Sequence, residues 1–315
     1  MPSPLRIGSR PSRLALAQAA LVKDAIERAV PGLACEIVPI RTTGDKLTTP
    51  SLVRVGGKGL FVRELEQALA AGQIDLAVHS MKDMPARLPP GFRLLAVPAR
   101  EDTADVLLTG GPDLAGLPRG ARLGTSSLRR RFEATRLRPD LDFQPLRGNI
   151  DTRLARLRAG AFDAIILAAA GLKRLGQSDL PPMHRLSDTD FVPAGGQGAL
   201  AIEAAADRMV GGSDKIERAV ATLDDPRTRI EISAERACLA EIGASCASPI
   251  GVKATAEGGN LAIRVLLFSL DGGRSMSDAL SVALSSKVAE AERAGAELAR
   301  RMLANGAAAL IGERD

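Results

Sequence analysis

Chemistry is concentrated in the stretch Ala77-Val78-His79-Ser80-Met81-Lys82-Asp83-Met84-Pro85, where a cation and a carboxylate adjoin just beyond an apolar run over 74–78. In an open α/β sheet, ligands sit beyond the carboxyl ends of the strands, so Asp83 is the candidate acid or base, with Lys82 beside it. Taken alone, the pair better suits solvated loop charges ahead of a proline turn. The cations elsewhere in the chain reverse that balance.

Of 42 cationic residues, 34 are arginine and 8 lysine, and 119–158 alone carries eleven arginines, no lysine and four acids. Codon composition contributes to such a bias. Position separates the arginines that matter from the rest. Ser126, Ser127, Arg129 and Arg130 fall in the first turn or so of a helix after Gly124, where backbone N–H groups already favour an anion. Arg147-Gly148-Asn149 follows a strand over 141–146, and Arg153 lies one or two turns into the next helix. Arg10 stands at the mouth of a strand-to-helix turn, and Gly171-Leu172-Lys173-Arg174 offers another cation. Arg136, Arg138, Arg156 and Arg158 read as solvated helix faces. Planar guanidinium forks grip carboxylates in bidentate fashion, so small multiply anionic ligands suit this inventory.

The elements that must position these side chains follow a βαβ plan. A strand over 5–7 leads through Gly8-Ser9-Arg10 to a helix that Ser12 caps and that runs to about 29, and a strand over 34–40 follows Pro31-Gly32. A long polar connection over 41–58, with Lys58 among glycines, has the length of a functional lid or a disordered segment. A helix over 61–71 and strands over 74–78 and 93–97 complete the first lobe. Gly72-Gln73-Ile74-Asp75-Leu76-Ala77-Val78 is echoed by Gly160-Ala161-Phe162-Asp163-Ala164-Ile165-Ile166, and Ile7-Gly8-Ser9 by Leu123-Gly124-Thr125. Two α/β lobes of similar plan are expected. Pro193 to Ala199 reads as a flexible return, with Gln197 at a backbone approach or an interlobe hinge. A third, α+β unit has helices over 226–242 and 287–303 and strands over 250–256, 261–270 and 276–284. The expected domains are 1–98 with 195–214, 101–192, and 217–315.

A chain of 315 residues exceeds one ordinary core. It has no Trp, no Tyr and seven Phe, which disfavours nucleic-acid binding by base stacking despite a net charge of +5. Three cysteines without Cys-x-x-Cys spacing and two histidines argue against a disulfide framework and a zinc site. With no leader and no long apolar run, the expected setting is the cytoplasm, away from membranes.

Cys246 sits in a loop of Gly, Ala and Ser, unlike Cys35 and Cys238, which read as core residues; small neighbours leave room for an attached group, although an idle thiol fits the local physics better. With these motifs in order, together with Thr42-Thr43-Gly44-Asp45, Gly56-Gly57-Lys58-Gly59-Leu60-Phe61 and Gly196-Gln197-Gly198-Ala199, the chain from about 5 to 303 resembles the porphobilinogen deaminase (hydroxymethylbilane synthase) family. It departs from the familiar pattern at Arg54, where relatives often carry lysine, and in Gly243-Ala244-Ser245-Cys246, where Gly-Gly-Cys is more usual.

The resemblance implies two periplasmic-binding-protein-like α/β lobes around a cleft plus a small C-terminal α+β domain. It also implies a monomeric transferase that polymerises four porphobilinogen molecules on a dipyrromethane cofactor, covalently attached to Cys246 by a thioether. Under it Asp83 is the catalytic carboxylate. Lys82, Ser127, Arg129, Arg130 and Gln197 hold the cofactor, and Arg10, Ser12, Lys58, Arg147, Arg153 and Arg174 hold substrate carboxylates. Lys58 and Phe61 belong to a loop over the cleft, and no metal is involved. The rival readings are a non-catalytic two-lobed small-anion-binding module, which leaves Cys246 idle, and an RNA-binding protein.

Overall fold

The computed structural model describes residues 3–43, 62–177, 179–245, 248–284 and 287–311. The first lobe opens with β1 (Leu5–Ser9) and α1 (Arg13–Ala29), whose N-terminus Ser12 caps by accepting from the Ala15 N–H. Next come β2 (Cys35–Pro39), α2 (Arg63–Ala70), β3 (Leu76–Ser80) and β4 (Phe92–Ala96). The second lobe holds β5 (Asp105–Thr109), β6 (Arg122–Gly124), α3 (Leu128–Leu137), β7 (Asp142–Gln144), α4 (Ile150–Arg158), β8 (Ala164–Ala168), α5 (Ala169–Arg174) and β9 (Met183–Arg185). The chain then returns to the first lobe as β10 (Leu200–Ala205) and α6 (Asp214–Ala221). The third unit comprises α7 (Pro226–Ile242), β11 (Ile250–Glu257), β12 (Asn260–Phe268), β13 (Ser275–Ala283) and α8 (Val288–Ala304), with a last turn, α9 (Ala308–Ile311).

Both lobes carry five-stranded mixed sheets of one topology. The orders are β2-β1-β3-β10-β4 and β7-β6-β8-β5-β9, with the first three strands parallel and the fourth antiparallel to both its neighbours. The registers correspond: Ile7 pairs with Leu76 as Leu123 pairs with Ala164. Even the side-chain clamps repeat. Asp75 takes the Arg6 backbone N–H and guanidinium at 2.8, 3.1 and 2.8 Å, and Asp163 takes those of Arg122 at 2.7, 3.1 and 2.9 Å. The echo in the sequence is thus a structural repeat. The lobes are interlocked by the crossing connections, because β10, after the whole second lobe, completes the first sheet between β3 and β4.

The cores follow from the apolar periodicity. Leu5, Ile7, Val22, Ile26, Leu76 and Val78 pack α1 on the first sheet. Leu107, Leu123, Ala134, Ile166 and Phe191 fill one side of the second. In the third unit α7 and α8 lie on a sheet of order β11-β12-β13 around Ile263, Val265 and Leu298. α7 has Pro226 at its first turn, an Asp225 cap accepting from Thr228, and Gly243 in the left-handed region at its end.

α6, across which the expected bound at 217 falls, packs Ile216 and Val220 against the first lobe's core. Two expectations change. Arg138 is no solvated side chain: it is half-buried, pairs with Asp140 at 2.8 Å and donates to the carbonyls of Leu114, Ala115 and Leu117 at the end of α3. The return over 193–199 is buried for most of its length and bonded into both lobes, so its glycines serve close packing.

Candidate active site

Met81 to Asp83 form a single helical turn where β3 ends. The turn is held at both edges: the buried Met81 takes its N–H to the Ala199 carbonyl at 3.0 Å, and the Met84 N–H closes on the Met81 carbonyl at 3.1 Å. Lys82 and Asp83 are left half-buried between these anchors. Among the described residues Asp83 makes no hydrogen bond or ion pair, so its carboxylate is uncommitted. Gly196 makes this packing possible. With φ at +80, a Cβ there would lie 2.9 Å from the Lys82 backbone nitrogen.

The cations expected at the strand ends do converge. Lys82 Nζ and Arg130 Nη2 both donate to Gln197 Oε1, at 3.3 and 3.4 Å. Gln197 is buried, and its amide nitrogen donates to the Thr103 carbonyl at 2.7 Å and to Asp105 at 2.8 Å. Crowding by protein and then the field of Arg130 bring Lys82 down to about 8, against opposing help from Asp83 and Asp105. The same two causes lower Arg153 to about 10; its Nε donates to the Gly148 carbonyl at 2.8 Å, and no described carboxylate pairs with it. Arg174, also desolvated, donates to the Gly198 carbonyl at 2.6 Å. Among the described residues no carboxylate forms an ion pair with Lys82, Arg153 or Arg174.

Ser127 caps α3 by accepting from the Arg130 N–H, which puts the helix N-terminus at the same strand end. Arg10 follows β1 and Arg147 follows β7, both half-buried and both engaged in further contacts. Ser12 is the α1 cap. Lys58, Phe61 and Cys246 lie outside the described residues.

Arg129 and Arg130, expected to face a ligand, are buried and largely committed within the protein. Arg129 bridges Asp105 at 2.8 Å and Glu133 at 2.7 Å, and Arg130 forks onto Asp105 at 2.7 and 3.0 Å. Burial alone would raise the Asp105 carboxyl, but the two guanidiniums hold it well below the usual carboxylate range. Desolvation pushes Glu133 up to about 8.

Asp105 went unnoticed in the sequence, although an acid opening the apolar run Val106-Leu107-Leu108 was a usable signal. A second missed cluster joins the three units. Glu235 accepts from Arg100 Nη1 and Nη2 at 2.7 and 3.0 Å, from the Gly196 N–H at 2.7 Å and from the Ala254 N–H at 2.8 Å. Glu231 and Glu235, four apart on the buried side of α7, were its sequence trace.

Residues 5–210 match the family model described as "Porphobilinogen deaminase, dipyromethane cofactor binding domain", and 229–304 match "Porphobilinogen deaminase, C-terminal domain". A porphobilinogen deaminase from Syntrophobacter fumaroxidans is 44% identical over 98% of this chain and 97% of its own. One from Syntrophotalea carbinolica is 45% identical over 99% and 96%. A probable amino-acid ABC transporter extracellular-binding protein from Bacillus subtilis aligns at 10% identity over 71% of this chain and 92% of that one, with a TM-score of 0.43. Two interlocked α/β lobes with cations gathered at their strand ends, joined to an α+β unit, carry the match to a cofactor-binding domain, which defines the class as an enzyme with a cofactor-binding domain. The chain belongs to the porphobilinogen deaminase family.

Proposed function

We propose that the chain polymerises four porphobilinogen molecules head to tail, releasing ammonia at each addition, to give hydroxymethylbilane. The observation that carries this reading is the uncommitted Asp83 carboxylate beside Lys82, where no described carboxylate forms an ion pair with Lys82, Arg153 or Arg174. A dipyrromethane primer fits these residues, because its carboxylates offset the cost at which Lys82 and Arg153 hold their charge. When bound, that group supplies a pyrrole ring carbon as the nucleophile. Its thioether falls to Cys246: burial pushes the Cys35 thiol up to about 11 and the Cys238 thiol up to about 12, which leaves neither appreciably ionised at neutral pH.

Lys82 and Ser127 hold the primer's carboxylates directly. Gln197 acts on the primer by orienting Lys82, since both its amide hydrogens go to Thr103 and Asp105. Arg129 and Arg130 act chiefly through their field, since most of their donors are spent internally. Arg10, Ser12, Arg147, Arg153 and Arg174, with Lys58, take the acetate and propionate groups of substrate. Porphobilinogen, whose aminomethyl group is an ammonium at neutral pH, loses ammonia as the C–N bond breaks, the bonding pair leaving on nitrogen. The azafulvene-like cation left behind is stabilised by the Asp83 carboxylate. After the new carbon–carbon bond forms, Asp83 accepts the proton shed by the attacked ring carbon. Hydrolysis releases the finished tetrapyrrole. The same reading makes the protein a cytoplasmic monomer whose partner is a small molecule.

Incubation with porphobilinogen, followed by ammonia release and by absorbance of the oxidised porphyrin, tests the activity. The denatured protein should weigh more than its residues by one dipyrromethane. Folded, primer-loaded protein without turnover, or active protein of residue mass alone, overturns the reading. Uptake of dipyrromethane by primer-free protein should weaken as pH rises, because Lys82 loses its proton as pH climbs through about 8. Uptake that is flat between about pH 7 and about pH 9 removes Lys82 from carboxylate binding.

A further inference from the structure

We propose that Asp105 is a positioning residue, an internal counter-anion at the start of β5 that holds Arg129, Arg130 and Gln197 in one cluster and so fixes what Lys82 presents to the cleft. Its side chain is fully buried and both oxygens are in use. Oδ2 accepts from Arg129 Nη2 at 2.8 Å, and Oδ1 accepts from Arg130 Nη2 at 2.7 Å, from Arg130 Nε at 3.0 Å and from Gln197 Nε2 at 2.8 Å. Fold stability alone gives no reason for this choice, since a buried ion cluster is commonly matched by apolar side chains of similar volume. Val106, Leu107 and Leu108 show that the strand accepts them.

What the carboxylate adds is direction. Asp105 and the Thr103 carbonyl both draw the amide nitrogen of Gln197, so the amide oxygen must face Lys82 and Arg130. An uncharged amide at 105 weakens that constraint, because it can present N–H as readily as oxygen to Gln197 and leaves the Thr103 carbonyl as the one fixed acceptor. Position matters as well. Asp105 lies just past the outward connection between the lobes and Gln197 lies on the return, so one carboxylate ties both crossings to the cationic wall. The charged groups facing Lys82 are Asp83 from its own turn, Arg129 and Arg130 from α3, and Asp105 from β5.

The first arm of the test needs no substrate. With only 8 lysines in the chain, trace acetylation across pH followed by peptide mass spectrometry resolves the titration of Lys82. In Asp105→Asn its midpoint should fall by about one pH unit, because a nearby negative charge is lost and two cations remain. In Asp105→Glu, which keeps the charge, the midpoint should stay in place.

The second arm rests on the functional reading above. Displacing the cluster by one methylene in Asp105→Glu should slow the addition of porphobilinogen about tenfold or more at pH 7.5. A folded Asp105→Asn with an unmoved Lys82 midpoint overturns the proposal, and so does an Asp105→Glu that elongates normally. If Asp105→Asn fails to fold, Asp105→Glu decides alone. If the unsubstituted protein shows no turnover, the functional reading fails and the labelling arm still decides the role of Asp105.

Discussion

Asp83→Asn should melt like the unsubstituted protein yet add porphobilinogen at least about 100-fold more slowly, the usual scale for losing a positioned acid or base. The change is nearly isosteric, and no described residue loses a partner, because Asp83 has none to give up. What disappears is charge. The amide cannot stabilise the cation formed when ammonia departs, nor take the proton released at the new junction, so both halves of each addition suffer. Rapid-mixing measurements of a single addition, alongside a thermal melt, separate chemistry from folding. Elongation at the normal rate would take Asp83 out of the mechanism.

Glu235→Ala should be the most damaging single change to stability, at about 3–5 kcal/mol. It strands the buried Arg100 guanidinium with the weaker 3.4 Å contact to Glu231, and it leaves the Gly196 and Ala254 N–H groups unsatisfied. Those partners belong to the outward connection, the return and β11, so the loss falls where all three units meet. Urea unfolding with an unchanged slope would read it directly. A cost under about 1 kcal/mol would mean that water replaces the carboxylate there.

The fold was legible wherever a local rule sufficed. Ser12 announced the start of α1, and the helix expected over 226–242 was found with those bounds. The repeat was legible because Asp75 and Asp163 recur in the same setting. Lys82, Arg153 and Arg174 could be placed because strand ends in an α/β sheet point one way. Periodicity tells which side of an element faces inward but not what it meets. Asp105 finds Gln197 ninety-two positions later, and Arg100 finds Glu235 after 135, so the local signals at Asp105 and Glu235 do not name their partners. For the same reason the ion pairs of Arg129 and Arg130 with Asp105 could not be read from the sequence.

The crossing connections have a consequence during synthesis. Every strand of the second sheet comes from one uninterrupted stretch, 105–185, whereas the first sheet waits for β10. On the ribosome, the half translated later is therefore the earlier one able to finish. Until the return segment emerges from the exit tunnel, β3 keeps an open hydrogen-bonding edge and β4 has no neighbour at all, which makes the nascent N-terminal half the natural client for a chaperone.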